Sequence, residues 1–362
     1  MENRRHWEQM RICIDARGMS GRPTGAGKAL RYLLRQLRLD FPHHEYITCD
    51  PRGAASWRLS RQLLWEQIGL PWRASRFGAD VLHVPGGNSA PILRGSRLVM
   101  TVHDLAPTRY PDLLPPGPGR WYWSRWVPFT ARFANRLLVP SASTKRDLVE
   151  LARVPEGRIG VVPWGVPLDR LDAGSVDGVC TAYGLVDPFL LYVGTIDRRK
   201  DYPTLLRALQ RLDPAISLAV VGTVIAGRTD FPETVRTLGL ERRVKVLGYV
   251  PEGDLSALYR AASVFVYPSF YEGFGLPVLE AMACGTPVVT YRTTALPEVT
   301  GDAARLLDPP VTPDMLAAEI RSILDDPGLR RELRARGLAQ ARRFDWRTTA
   351  RLTVEVYEAM CR

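Results

Sequence analysis

The chain lacks most of what marks secreted, metal-held or membrane-spanning proteins. Its 362 residues include five cysteines, Cys13, Cys49, Cys180, Cys284 and Cys361, scattered, odd in number and never spaced as Cys-x-x-Cys. That spacing excludes a disulfide framework and a cysteine zinc site, and it points to a reducing, cytosolic compartment. A bilayer helix needs ~20 consecutive apolar residues. The longest run without a charge, Pro214 to Gly227, has 14. The opening residues, MENRRHWEQMR, lack the apolar core of a secretory leader.

Positive charge is what the chain has in excess. Lys and Arg number 49 against 38 Asp and Glu, a net +11. Residues 1–170 hold 26 basic and 14 acidic residues, an excess of 12, whereas residues 171–362 hold 23 and 24. An excess confined to one half implies an acidic partner for that half. No nucleic-acid motif accompanies it, which favours an anionic membrane surface or a lipid-linked substrate. An arginine-rich composition inherited from a GC-rich genome is the alternative. Hydrophobic content of 46% and charged content of 24% are ordinary for a globular chain, and the length suffices for two domains with separate cores.

The pattern along the chain is βα alternation without repeats. Ile12 to Asp15 reads as a strand, followed by RGMSGRPTGAGKALRYLLRQL, in which a Gly25-Ala26-Gly27 loop opens a helix with Leu30, Leu33, Leu34 and Leu37 on one face. Gly-x-Gly before a helix serves either a close-approaching ligand or a tight turn. Lys28 is followed by Ala29, not Ser or Thr, which excludes a P-loop. Further strands are expected at 81–84, 97–102, 136–139 and 159–162. A second series is expected at 189–193, 217–221, 244–247, 264–267 and 287–290. The interval rich in Gly, Pro, Asp and Ser predicts a linker over 169–188. The expected domains are therefore 1–168 and 189–345, each a doubly wound α/β unit, with ligands at the carboxyl ends of the strands.

Residues 268–289, PSFYEGFGLPVLEAMACGTPVV, are the most informative stretch. They read as a strand, a loop with Glu272 between strand and Gly273, then a helix from Pro277 to Ala283 carrying Glu280 and stopped by Gly285. The loop amides and helix N-terminus suit an anion. Glu272 beside it and Glu280 one turn along can each meet hydroxyls, so diphosphate, sugar and ribose fit the three positions. A plain βα turn with surface acids is the alternative.

The stretch closely resembles the donor-binding signature of retaining glycosyltransferases of family 4, which have two Rossmann-like domains in the GT-B arrangement. The resemblance implies that Glu272 contacts donor-sugar hydroxyls and Glu280 the ribose, with Phe274, Gly275 and Leu276 around the diphosphate. GTIDRRKDYPTLL, from Gly194 and Thr195, is similar to the family's basic segment, especially that of enzymes using GDP-mannose. It implies that Arg199 and Lys200 neutralise the leaving diphosphate. Read without the family, Arg198 to Lys200 is a basic turn. Thr195 stands where some members carry a phosphate-binding Arg. Gly25, Ala26 and Gly27 resemble the family's loop facing the diphosphate, and His103, in TVHDL, resembles an active-site His near the donor sugar, although a lone His after a strand is often structural. Tyr249 and Val250, in GYVPEGDLSALYRAA, match the segment presenting backbone groups to the nucleobase. Ser141 and Gly165 match family landmarks, and Trp164 replaces the usual Asn or Leu.

What the resemblance implies is transfer of a hexose, best mannose from GDP-mannose, to a hydroxyl of a saccharide or lipid-linked saccharide with retention of configuration. No metal or other cofactor is expected, and no Asp-x-Asp element stands in a suitable place. A UDP-sugar donor, a sugar phosphorylase or an inactive scaffold that binds a partner or membrane are the alternatives. The phosphorylase needs an extra segment with a pyridoxal-phosphate lysine, and none is present. The last helix, 346–362, is expected to return to the first domain. Two Trp-Arg stretches, 56–72 and 119–136, read either as interfacial amphipathic helices or as core Trp65, Trp123 and Trp126 with Arg on the wet face. The first favours core.

Overall fold

The computed structural model describes residues 9–19, 25–51, 58–86, 88–167, 175–224 and 229–361. The chain divides into two compact units, one of residues 1–165 with 345–362, the other of residues 166–344. Each is built on a six-stranded, wholly parallel sheet.

In the first unit the strands are β1 (Arg11–Asp15), β2 (Glu45–Cys49), β3 (Val81–Val84), β4 (Arg97–Thr101), β5 (Arg136–Val139) and β6 (Ile159–Val161), in the order β2-β1-β3-β4-β5-β6. The interior strands are buried on both faces, as parallel sheets are, so VLHV at β3 is buried at all four residues. One face is covered by the helix Gly25–Asp40, through Leu30, Leu34 and Leu37, and by the helix Trp346–Cys361, through Ala350, Val354 and Tyr357. The other face packs Trp65, Leu70, Tyr122, Val127 and Leu148. The returning helix is anchored chemically as well. Fully buried His83 on β3 holds the Tyr357 hydroxyl at 2.6 Å on Nδ1 and Thr101 Oγ1 at 2.8 Å on Nε2. A Cβ on Gly165 would lie 2.3 Å from the backbone nitrogen of Trp346, so only glycine lets the helix start come so close.

In the second unit the strands are β7 (Phe189–Val193), β8 (Ser217–Val221), β9 (Val244–Gly248), β10 (Val264–Tyr267), β11 (Val288–Tyr291) and β12 (Arg305–Leu307), ordered β12-β11-β10-β7-β8-β9. Both orders reverse beside the first strand of the sheet. The crevices where ligands bind in such folds thus open between the ends of β1 and β3 and between those of β7 and β10.

Three sequence expectations change. Of the linker 169–188, residues 169–174 lie outside the described residues, and Val176–Tyr183 is a helix of the second unit, capped by Ser175 Oγ on Gly178 N at 3.3 Å. Gly25-Ala26-Gly27 is not a loop but the first turn of its helix. The strand expected at 287–290 runs Val288–Tyr291, with Pro287 giving its carbonyl to Phe265 N at 2.8 Å. The sequence also misses β2 and β12, edge strands without a continuous apolar run. Trp65 is a core residue and Trp123 and Trp126 pack partly buried against the core, whereas Trp72 and Trp121 face solvent.

Candidate functional site

In the second unit the site grows from the ends of β7 and β10. Gly194 closes β7 at φ +147° and is matched by Gly222 at the end of β8. A Cβ on Gly222 would lie 2.1 Å from the Gly194 carbonyl oxygen. The chain then turns through Asp197, whose carboxylate accepts from Arg199 N at 2.9 Å and from the Arg199 guanidinium at 3.1 Å, capping the single 3-10 turn Arg198–Lys200. This cap points Lys200 inward, where it is 4% exposed. Arg199 presents its carbonyl to Phe270 N at 2.8 Å, which fastens the basic turn to the loop after β10.

That loop brings Glu272 onto the Lys200 ammonium. Ser269 Oγ donates to the same Glu272 oxygen at 2.5 Å, and Glu272 N donates to Thr294 Oγ1 at 2.9 Å. The Tyr267 hydroxyl also receives a hydrogen bond from Lys200, whose nitrogen sits 4.3 Å from the ring centroid. Burial by itself raises the Glu272 carboxyl pKa. The charges of Lys200 and Arg199 and the hydrogen bonds from Lys200 and Ser269 outweigh it and hold the group below the usual carboxylate value. Burial also lowers the Lys200 pKa, partly offset by Glu272. Glu272 is thus a carboxylate held by two donors, one of them a nearly dry lysine.

Past Glu272 the chain reaches Gly275, at φ +103°, which sets the start of the helix Leu276–Ala283. A Cβ there would also come within 2.7 Å of Leu296. Phe274 is buried, edge-on to Phe344 at 5.9 Å. Glu280, one turn into the helix, accepts from the Tyr259 hydroxyl at 3.0 Å. Tyr259 comes from the helix Glu252–Ala261, and no pattern in the sequence points to it. Ser269, Tyr267 and Thr294 were also not singled out. Tyr249 is exposed and Val250 buried in the turn after β9, which is tied to β8 by Gly222 N donating to the Gly248 carbonyl at 2.8 Å. Thr195 follows Gly194 and gives its carbonyl to Tyr192 OH at 3.1 Å. The structure therefore brings Lys200 into contact with Glu272, with the charge of Arg199 close enough to act on that carboxylate, and Phe274, Gly275, Leu276 and Glu280 follow on the same loop and helix. A cation pair, an ionised carboxylate and a glycine-led helix start can bind an anion and polar hydroxyls side by side.

The first unit has its own crevice between β1 and β3. Arg17, Gly18, Ala26 and Gly27 meet Pro85, Gly86 and Asn88 around a cavity of about 210 Å³ that Gln62 and Trp123 complete. Its wall is braced by Glu66, fully buried, which accepts from Arg17 at 3.1 Å, Tyr122 OH at 2.7 Å, Gln62 at 2.9 Å and Ser89. Burial pushes the Glu66 carboxyl upward, opposed chiefly by Arg17. His103, after β4, lies edge-on to Trp164 at 4.9 Å and lines a small neighbouring cavity with Pro85 and Trp346. Burial pushes its pKa down to about 4, so the ring is neutral at physiological pH. Both ring nitrogens are buried, and neither has a hydrogen-bond partner among the described residues. Among those residues no group of three or more His, Cys, Asp and Glu is arranged to hold a metal. No described helix is long and apolar enough to cross a membrane.

Comparison with known proteins bears on family and fold. The model of the family "Glycosyl transferases group 1" matches residues 185–340, and that of "Glycosyltransferase Family 4" matches residues 39–170. The O-antigen chain mannosyltransferase B of Escherichia coli is 35% identical over 275 residues, covering 74% of this chain and 71% of that protein. A D-inositol 3-phosphate glycosyltransferase of Kineococcus radiotolerans is 36% identical over 248 residues, covering 62% of this chain and 57% of that protein. The crystal structure of Anabaena Alr3699/HepE in complex with UDP and glucose superposes with a TM-score of 0.75 at 21% identity, over 97% of this chain and all of that one, and bears on the fold alone.

Proposed function

Since the chain belongs to glycosyltransferase family 4 and has the GT-B fold, we propose that it is a retaining, metal-independent mannosyltransferase. It takes mannose from GDP-mannose and places it on a hydroxyl of a saccharide or lipid-linked saccharide on the cytoplasmic side of a membrane. The observation that carries this reading is the contact of Lys200 with Glu272, braced by Arg199 and Ser269, at the β7/β10 crevice. The mannosyltransferase named among the relatives supports the sugar.

In this reading Arg199, Lys200 and the amides at Gly275 and Leu276 hold the diphosphate and stabilise the charge that grows on it as it leaves. Glu280, aimed by Tyr259, takes the ribose hydroxyls, and the backbone at Tyr249 and Val250 faces the base. Glu272 orients the sugar hydroxyls. The anomeric carbon–oxygen bond to the diphosphate breaks, and a bond to the acceptor oxygen forms on the same face. The acceptor proton passes to a diphosphate oxygen. No carboxylate nucleophile is needed, and the charge that a metal ion carries elsewhere falls to the two basic side chains.

A thermal-shift series with GDP, UDP, dTDP and ADP tests the donor, because a ligand that binds only the folded state raises the midpoint. GDP should shift it most. A shift by UDP with GDP inert overturns the donor assignment. Release of GDP from GDP-mannose in EDTA should match release without it; a strict need for Mg²⁺ or Mn²⁺ overturns metal independence.

A further inference from the structure

The segment 59–76 of the first unit is one helical rod, an α-helix Leu59–Leu64, a π turn Trp65–Gly69 and an α-helix Leu70–Arg76. Its inner side is accounted for by Trp65, Leu70 and Ala74 in the core and by the buried Glu66. Its outer side is unlike that of an ordinary surface helix, which turns polar residues to water. Leu64, Ile68 and Trp72, four residues apart, are 60%, 62% and 60% exposed. The loop before β4 extends this stripe. Ile92 N donates to Gln67 Oε1 at 3.0 Å, and Gly95 abuts Ser75, so Leu93 between them runs beside the rod, at 81% exposure. Phe77, also exposed, continues the stripe at its end.

The charges around the stripe are of one sign. Residues 58–77 carry Arg58, Arg61, Arg73 and Arg76 and a single acid, Glu66, which is turned inward and neutralised by Arg17. Arg76 lies over the Trp72 ring at 5.6 Å and Arg73 over Trp65 at 5.0 Å. A second copy of this chain docking by the same face would set these arginines against their equivalents. An anionic bilayer accepts both parts of the surface at once, apolar side chains and indole below the headgroups, guanidinium groups on the phosphates.

We propose that the face formed by Leu64, Ile68, Trp72 and Leu93, bordered by Arg58, Arg61 and Arg76, docks the protein on an anionic lipid bilayer. The sequence favoured core for 56–72 and left 119–136 equally open to such contact and to core packing. There Trp123 and Trp126 are drawn onto the core, while the rod of 59–76 keeps its large apolar residues outside. Docking here supports a lipid-linked acceptor but is independent of the donor, so its failure leaves the proposed transfer reaction standing.

Co-sedimentation of the full chain with vesicles of phosphatidylglycerol and phosphatidylcholine, against pure phosphatidylcholine, tests it. The wild type should pellet with the anionic vesicles and release as salt rises. The variant Leu64→Ser/Ile68→Ser/Trp72→Ser should lose roughly tenfold or more of its partitioning, and Arg58→Gln/Arg76→Gln should lose the preference for anionic over neutral vesicles. All substituted side chains are exposed, so thermal midpoints should stay at the wild-type value. Unchanged partitioning of the triple variant overturns the proposal. So does equal wild-type binding to neutral vesicles, or a self-association that the triple variant abolishes with no vesicle binding at all.

Discussion

Lys200 and Glu272 depend on one another for their charge, and their substitutions should behave accordingly. Glu272→Ala strips a buried cation of its partner and, in the proposed reaction, removes a contact to the sugar. Turnover should fall by roughly 10²–10³, the scale of one well-placed polar group at a transition state. The second unit should lose about 3–5 kcal/mol, the usual effect of leaving a buried charge uncompensated. Turnover and denaturant midpoint measured on the same sample check both, and wild-type values for either remove that role. Because burial lowers the Lys200 pKa, the alkaline limb of the pH–turnover profile should begin below the ordinary lysine value of 10.5, as the cation is lost. Tyr259 acts through Glu280. Tyr259→Phe removes one hydrogen bond to a carboxylate and should weaken nucleotide binding by about fivefold, near 1 kcal/mol, with the catalytic step unaltered. A titration showing wild-type affinity would detach Tyr259 from the site. The carboxylates and basic residues were legible in the sequence because they sit within two continuous strings. Tyr259 was not, because it reaches Glu280 from another helix, 21 residues away.

At the scale of elements, the crevice depends on how closely the ends of β7 and β8 approach. Gly222 sits at φ +134°, and a Cβ there would meet the Gly194 carbonyl at 2.1 Å, a backbone atom that cannot swing aside. Gly222→Ala should therefore part the two strand ends and move the basic turn that follows Gly194. The expected loss is at least ~2 kcal/mol of stability, combining positive-φ strain with overpacking, together with weaker nucleotide binding. Gly119→Ala, where a Cβ meets nothing within 4 Å, is the matched control and should be neutral. Equal midpoints for the two variants would show that the strand ends yield. The strands themselves were readable as buried apolar runs. Edge strands β2 and β12 were not, since one side of each is open and their residues mix polar with apolar.

For the whole molecule, acid should act first on the first unit. Burial lowers the pKa of His44 and His103 to about 4 and that of His83 to about 3, against an ordinary 6.5. Each is neutral in the folded chain and takes a proton when unfolded. The stability they contribute is complete above the unfolded value of 6.5 and is lost as pH falls from there toward the folded values. For the fully buried His83, which holds the Tyr357 hydroxyl, the loss is on the order of a few kcal/mol. Denaturant melts between pH 7 and pH 4, read from the nine tryptophans, all of which belong to residues 1–165 or 345–362, should show the first unit weakening. A His83→Gln variant should weaken less steeply. A flat pH dependence over this range would place the protonation elsewhere.

The sequence by itself determined the two parallel sheets, the family and the carboxylate–cation string, because each is written in contiguous residues: apolar runs, turn glycines and acids at fixed spacing. Only the tertiary structure decided how those strings meet. It turned Lys200 onto Glu272 through a cap at Asp197 and set Tyr259 under Glu280. It made Glu66 the buried brace of the first crevice and left Leu64, Ile68 and Trp72 outside a helix whose composition favours the core. The physical reason is one of range. Periodicity fixes which face of an element is apolar, but what covers that face depends on residues tens or hundreds of positions away, and along 59–76 Leu64, Ile68 and Trp72 stay exposed among the described residues.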